Sequence, residues 1–260
     1  MAGVKTLSSA FLRRNVRLDW YMTGPSPALV LFNDGQDLDA MGIARALNGG
    51  LRSLLCVGIH AGRNRLQEYG TAASGDFAGR GSRAFLYTHF VVQELLPFLQ
   101  REFSLPDDTE RAFAGFSLGG LSALDIVWNH PWLFRTAGVF SGSLWWRSKG
   151  YDAGYNEDTD RIMHAQVRDG RHPGPGTPVY ALHSAQRFFF ECGTADETAD
   201  RNGNGVIDVI DDTLDLIGDL KKRGVPPASL RYLEIPGGEH NPETWGRALP
   251  EFLRWGWGRE

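Results

Sequence analysis

Short, nearly unbroken apolar runs recur along this chain, and the stretches between them carry apolar residues at helical spacing. The runs lie at 28–32, 51–59, 111–114, 137–140 and 188–192. A strand that lacks polar alternation is one covered on both faces. Segments 14–21 and 230–235 complete the strand set, the first alternating polar and apolar as a half-buried or edge strand does. Helical spacing marks 39–47, ended by Gly49-Gly50, then 88–103, 121–128, 209–223, ended by Gly224, and 245–255. Strands alternating with helices predict an α/β fold, a mostly parallel central sheet covered by helices on both faces. In such sheets, sites gather at the carboxyl ends of strands. The 260 residues read as a single domain, interrupted by an irregular excursion at about 147–187, rich in Gly, Pro, His and charge, with one short helix near 160–167.

Composition narrows the function. A formal net charge of -4 and the lack of a long Lys/Arg cluster argue against a nucleic-acid partner. The longest apolar runs fall short of the roughly 18–20 residues that a membrane span needs. Residues 1–14 carry charges and no continuous apolar stretch of the signal-peptide kind, so the expected location is cytoplasmic, with no membrane partner. Cys56 and Cys192 each sit inside a strand-like run and read as buried free thiols.

The chemistry concentrates where one run meets its helix. Gly115-Phe116-Ser117-Leu118-Gly119-Gly120 is a G-x-S-x-G-G turn between the 111–114 strand and the 121–128 helix. Strand, sharp turn and helix form the context of a nucleophile elbow, which lifts a serine Oγ clear of the backbone and needs small neighbours to do so. Serine is a weak nucleophile without a base, and the base needs an orienting carboxylate. In this arrangement the chain order is Ser, then Asp or Glu, then His. Of the seven histidines, His60 and His89 precede the serine, His130 ends the elbow helix, and His164 and His172 fall in the excursion. His183 precedes every good acid candidate, whereas His240, in the Gly237-Gly238-Glu239-His240 loop after the last strand, fits the base. The acid belongs after the preceding strand, at Asp196, with neighbouring Glu197 as the alternative. Two N–H groups must face the developing oxyanion. One is that of Leu118; the other belongs to the Asn33-Asp34-Gly35-Gln36 loop, at Gln36, unless that loop is a plain turn.

A second pattern lies just beyond Asp196. Asp200, Asn202, Asn204, Asp208 and Asp211 fall at positions 1, 3, 5, 9 and 12 of a loop with glycine at 6, the spacing of a calcium loop, with the Val206 carbonyl at position 7. The expectation is a structural Ca²⁺ that stiffens the segment carrying the acid, with no cofactor for catalysis itself. A polar turn opening the next helix is the alternative.

Taken together, these residues resemble the esterase D / enterochelin esterase-like family of the α/β-hydrolase superfamily, which also holds feruloyl esterases and mycolyltransferases. The resemblance rests on Leu31-Phe32-Asn33-Asp34-Gly35-Gln36-Asp37, Val57-Gly58-Ile59, Glu68-Tyr69-Gly70, Glu94-Leu95-Leu96-Pro97, the elbow, Ser141-Gly142-Ser143-Leu144-Trp145-Trp146, Cys192-Gly193-Thr194-Ala195-Asp196, and Gly238-Glu239-His240 with Trp245. It implies the α/β-hydrolase fold, a Ser117, Asp196, His240 triad, and Gln36 and Leu118 as oxyanion donors. It sets the 141–146 segment near the substrate, where Trp145 and Trp146 would line the pocket. The chain departs from the enterochelin esterases in having no room for their extra N-terminal domain and no arginine-rich loop suited to a catecholate. The implied activity is cleavage of a small-molecule carboxylic ester through an acyl-enzyme. Acyl transfer by the same residues, or a silent calcium-stabilised binding domain, are the alternatives.

Overall fold

The apolar runs form the middle of one eight-stranded sheet in the computed structural model, which describes residues 1–169 and 185–259. The strands are β1 (Ala2–Ser9), β2 (Arg14–Met22), β3 (Ala28–Asn33), β4 (Leu54–Ile59), β5 (Arg111–Phe116), β6 (Thr136–Phe140), β7 (Arg187–Gly193) and β8 (Leu230–Ile235). They lie in the order β1-β2-β4-β3-β5-β6-β7-β8. β1 pairs antiparallel with β2 and β2 antiparallel with β4; all other pairs are parallel. β4 lies on one side of β3 and β5 on the other, so the chain reverses its direction of travel between β3 and β5. That is the switch point at which doubly wound sheets open a crevice.

The described helices are α1 (Ile43–Ala46), α2 (Arg65–Glu68), α3 (Ala84–His89), α4 (Leu96–Glu102), α5 (Leu118–Asn129), α6 (Glu157–Asp160), α7 (Ile162–Asp169), α8 (Asp208–Lys222) and α9 (Pro242–Trp257). α3, α4, α5 and α8 cover one face of the sheet, in a core that includes Leu31, Phe113, Leu121, Trp128 and Leu216. α1 and α9 cover the other, around Phe32, Phe116, Phe140, Phe189 and Phe252. β3 to β7 are buried nearly throughout, as their unbroken apolar sequences require.

Differences from the expected elements have local causes. β1 was not expected: its side chains alternate between exposed and half-buried, as on an edge strand, so no apolar run announces it. The helix expected over 39–47 shrinks to α1, because the chain first makes a 3-10 turn at Gly35–Asp37 and then takes a left-handed step at Gly42 (φ 73). The strand expected from 51 starts at Leu54, while Leu51 forms an isolated bridge with Gly258. The helix expected over 88–103 begins at Ala84 and passes through a π segment, Phe90–Leu95. In the excursion, α7 stands where a short helix was expected; His172, His183 and the rest of 170–184 lie outside the described residues. Cys56 and Cys192 are buried and free.

Candidate active site

The carboxyl ends of β3, β5, β6 and β7 and the loop after β8 meet at one edge of the sheet. β5 ends in the elbow, where Ser117 takes φ 55 and ψ −125, a conformation L-residues rarely adopt. The turn is held from both sides. The Ser117 N–H donates to the Phe140 carbonyl (2.9 Å), and the Ser117 carbonyl accepts from Gly120 (3.0 Å), Leu121 (3.2 Å) and Ser143 (3.1 Å). Its glycines are sterically required: a Cβ on Gly115 would lie 2.4 Å from the Gly119 oxygen, and one on Gly119 would lie 2.6 Å from Asp34 Oδ2. Leu118 opens α5, so its N–H has no acceptor within the helix.

The Ser117 side chain faces a cleft of about 290 Å³ bordered by Ser143, Trp145, Asp196, Glu197 and His240. Its Oγ lies 3.4 Å from Ser143 Oγ. Across the cleft, His240 Nδ1 is 2.7 Å from Asp196 Oδ1. With its proton on Nδ1, the ring donates to the carboxylate, and Nε2 is left as the acceptor. The Asp196 side chain is only 1% exposed, against 42% for His240. Trp245, from the first turn of α9, packs edge-on against the imidazole at 5.3 Å and donates its indole N–H to Ser141 Oγ at 2.9 Å. The loop carrying His240 is laced to the loop carrying Asp196: Ala195 N–H donates to the Gly238 carbonyl (2.8 Å) and Thr194 N–H to that of Ile235 (3.1 Å).

Of the two carboxylates that the sequence leaves open, Asp196 meets the imidazole. Glu197 turns to α8, where its Oε1 accepts the Val209 N–H at 2.7 Å, and burial raises its pKa. Of the two tryptophans, Trp145 borders the cleft, with the Arg80 guanidinium 4.7 Å from its ring centre. The expectation for Trp146 is corrected. It is wholly buried and packs beneath the 70–81 loop, where Cβ atoms on Gly70 and Gly81 would approach its ring to 2.6 and 2.7 Å.

Gln36 sits in the 3-10 turn after β3, and its side chain braces that turn, accepting from Ala61 N–H (3.1 Å) and donating to Asp34 Oδ1 (3.3 Å). A clamp that the sequence reading missed holds this loop. Arg65 grips Asp34 with two hydrogen bonds of 2.7 Å, and Asp34 N–H donates to the Tyr69 hydroxyl (3.3 Å). Asn33 Nδ2 donates to the Gly119 carbonyl (2.8 Å), while Tyr87 donates to Asn33 Oδ1 (2.5 Å). The loop after β3 is thus tied to the elbow helix.

The 200–211 loop coils around its own side chains. Asp200 Oδ1 accepts from Gly203 N–H (2.8 Å) and Asn204 N–H (3.1 Å), and its Oδ2 accepts from Gly205 N–H (2.9 Å). Asn202 Oδ1 and Asn204 Oδ1 accept from Asn204 N–H (3.0 Å) and Val206 N–H (2.7 Å). The Asn202 and Asn204 amides both donate to Asp211 Oδ2, at 2.9 and 2.8 Å. Asp208 is engaged elsewhere: its Oδ1 accepts the Arg201 N–H at 2.8 Å and pairs with that guanidinium at 3.2 Å. Among the described residues, no group of three or more His, Cys, Asp or Glu side chains is arranged to hold a metal ion. The oxygen-bearing side chains of this loop besides Asp208 are two carboxylates, Asp200 and Asp211, and two amides, whose nitrogens face Asp211.

The sheet order and the sharp turn after β5 are those of the α/β-hydrolase fold. Residues 13–255 match the Esterase family, described as Putative esterase, and the chain belongs to that family. Among curated proteins it is similar to the uncharacterized protein YbbA of Bacillus subtilis (strain 168), 27% identical over 103 residues, 38% of this chain and 41% of that protein. The enterobactin esterase FES from Shigella flexneri superposes with a TM-score of 0.70 at 20% identity, covering 97% of this chain and 58% of that one. The siderophore hydrolase EstB from Aspergillus nidulans gives 0.68 at 15% identity, covering 100% and 96%. At these identities the structural likeness is one of fold. The chain spans 41% of the length of the curated relative and 58% of the Shigella chain. No helix among the described residues is long and apolar enough to cross a membrane.

Proposed function

We propose that this protein is a serine hydrolase of small-molecule carboxylic esters. Ser117 Oγ attacks the ester carbonyl while His240 Nε2 takes its proton; Asp196 holds the Nδ1–H and stabilises the imidazolium that forms. The N–H groups of Leu118 and Gln36 receive the developing oxyanion. His240 then protonates the leaving alcohol, leaving an acyl-enzyme on Ser117, and a water activated by the same imidazole releases the acid. Trp145 is the apolar wall offered to the substrate. The observation that carries this reading is the 2.7 Å bond between His240 Nδ1 and Asp196 Oδ1, on the rim of the cleft that Ser117 faces. Relatives of the same fold bear the names enterobactin esterase, siderophore hydrolase and ferulic acid esterase, and aryl or lactone esters are the first substrates to try.

The test is labelling by a fluorophosphonate probe with a parallel p-nitrophenyl acetate assay. Wild type labels and turns over; Ser117→Ala does neither, its kcat falling by about 10⁴-fold or more. Equal labelling of the two proteins would sink the proposal. Products formed in the presence of an added alcohol separate hydrolysis from acyl transfer.

We further propose that the 200–211 loop binds Ca²⁺ through Asp200, Asn202, Asn204, Asp211 and the Val206 carbonyl. Hard oxygen donors and a glycine turn suit that ion. Only two of the side chains are charged, and Asp208 serves Arg201, so weak affinity is expected.

A further inference from the structure

β7 carries a carboxyl group with no evident use. Glu191 is 1% exposed, and among the described residues neither of its carboxyl oxygens has a hydrogen-bond partner. A buried polar group left unpaired is costly, so a native chain that keeps one calls for an explanation. Its place in the strand suggests where to look. Side chains two apart share a face of a strand, so Glu191 lies with Phe189 below and Gly193 above. Phe189 packs on Phe252 and Trp255 of α9. At Gly193 a Cβ would lie 2.3 Å from the Gly238 carbonyl, so the His240 loop crosses directly over this face. Alongside, the Glu191 carbonyl accepts the N–H of Ser141, whose hydroxyl accepts from Trp245, the ring against His240. Glu191 therefore sits beneath the junction of the acid and base loops. The charges that act on it are Asp196 and, in the opposite sense, Arg247 of α9. One oxygen of Asp196 is in the same position: Oδ1 serves His240, while Oδ2 is buried with no partner among the described residues.

We propose that Glu191 is a positioning residue of this site, its carboxyl holding one proton in common with Asp196 Oδ2, directly or across a water, and so fixing the carboxylate on which His240 turns. This rests on the Ser117, His240, Asp196 reading above. A proton shared by two neighbouring acids engages Asp196 Oδ2 and one of the two Glu191 oxygens and leaves the pair a single negative charge. Burial, reinforced by the Asp196 charge, pushes the Glu191 pKa up to about 8, so the proton is in place at neutral pH. Above that pH Glu191 ionises, the pair carries two like charges, and Asp196 loses the donor that fixes its free oxygen.

The test is the pH profile of kcat/KM for p-nitrophenyl acetate from pH 5 to 10, in wild type, Glu191→Gln and Glu191→Ala. Wild type loses activity along an alkaline limb with a midpoint near the pKa of about 8. Glu191→Gln keeps a donor but cannot ionise, so its alkaline limb disappears. Glu191→Ala lowers kcat on the order of tenfold or more with little change in KM, since it misplaces the acid without touching the substrate. For variants that do not fold, the wild type alone decides: the low-field proton resonance of His240 Nδ1–H moves or broadens with the same alkaline midpoint. An alkaline limb that survives unchanged in Glu191→Gln, or a wild-type His240 resonance with no transition between pH 7 and 9, overturns the inference. If fluorophosphonate labelling still depends on Ser117, only this inference has failed. If labelling does not depend on Ser117, the functional reading itself has failed.

Discussion

Ser117, the proposed nucleophile, stores backbone strain. A non-glycine residue at φ 55 and ψ −125 costs on the order of 1–3 kcal/mol. The conformation persists because Phe140, Gly120, Leu121 and Ser143 hold both peptide groups of the serine. Much of this was legible in the sequence, since Gly115 and Gly119 are the residues such a turn demands. Glu191 was not legible: one acid inside Phe188-Phe189-Phe190-Glu191-Cys192 gives no sign of which loops will pass over it. The residue that most sharply tests the site is Asp196. Asp196→Asn keeps the shape but offers Nδ1 an amide, which favours the wrong tautomer of His240. The expected result is a fall in kcat of about 10⁴-fold with KM little changed. Steady-state kinetics at pH 7.5 would check it, and a loss below tenfold would mean that His240 is oriented by another group.

Among the elements, the loop after β3 shows how a turn legible as Asp-Gly is fixed in place by distant side chains. The sequence places Asn33-Asp34-Gly35-Gln36 at a strand end. It does not show that Arg65 from α2, Tyr69 just after it and Tyr87 from α3 close upon that loop, because those contacts join segments far apart in the chain. Arg65 is the removable part of the clamp. In Arg65→Met the 3%-exposed Asp34 carboxylate loses its ion pair. Stranding one partner of a buried pair costs about 3 kcal/mol. The proposed oxyanion donor at Gln36 then shifts as well. The expected outcome is a lower urea midpoint together with a kcat loss on the order of 10²-fold at nearly constant KM. Wild-type kcat in a destabilised Arg65→Met protein would separate the clamp from the chemistry.

At the scale of the whole molecule, the sheet was legible because parallel strands covered on both faces write themselves as apolar runs. The segment from 147 to 169 was legible only as one short helix, now α7, because the rest of its order comes from charge rather than periodicity. Arg161, 3% exposed, pairs with Asp212 of α8 at 2.8 Å; Arg168 pairs with Asp219 of the same helix at 2.8 Å; and Arg201 of the proposed calcium loop pairs with Asp212 at 2.7 Å. α8 is therefore the spine to which the excursion helices, the 200–211 loop and, through Glu197, the Asp196 segment are all fastened. A cation bound by the loop would draw Asp211 of α8 toward Asp200 and tighten this assembly without entering the reaction. At a Ca²⁺ concentration about 100 times its Kd the stabilisation is about 2.7 kcal/mol, equivalent to about 5–10 °C in Tm for a protein of this size. Thermal unfolding in 5 mM CaCl₂ and in 5 mM EDTA should show that difference in wild type and lose it in Asp211→Ala, whereas Mg²⁺, which demands tighter octahedral geometry, should give little of it. Superimposable melting curves with and without calcium would remove the ion and leave the loop as a self-bonded turn that opens α8, its Asn202 and Asn204 amides closing on Asp211 unaided.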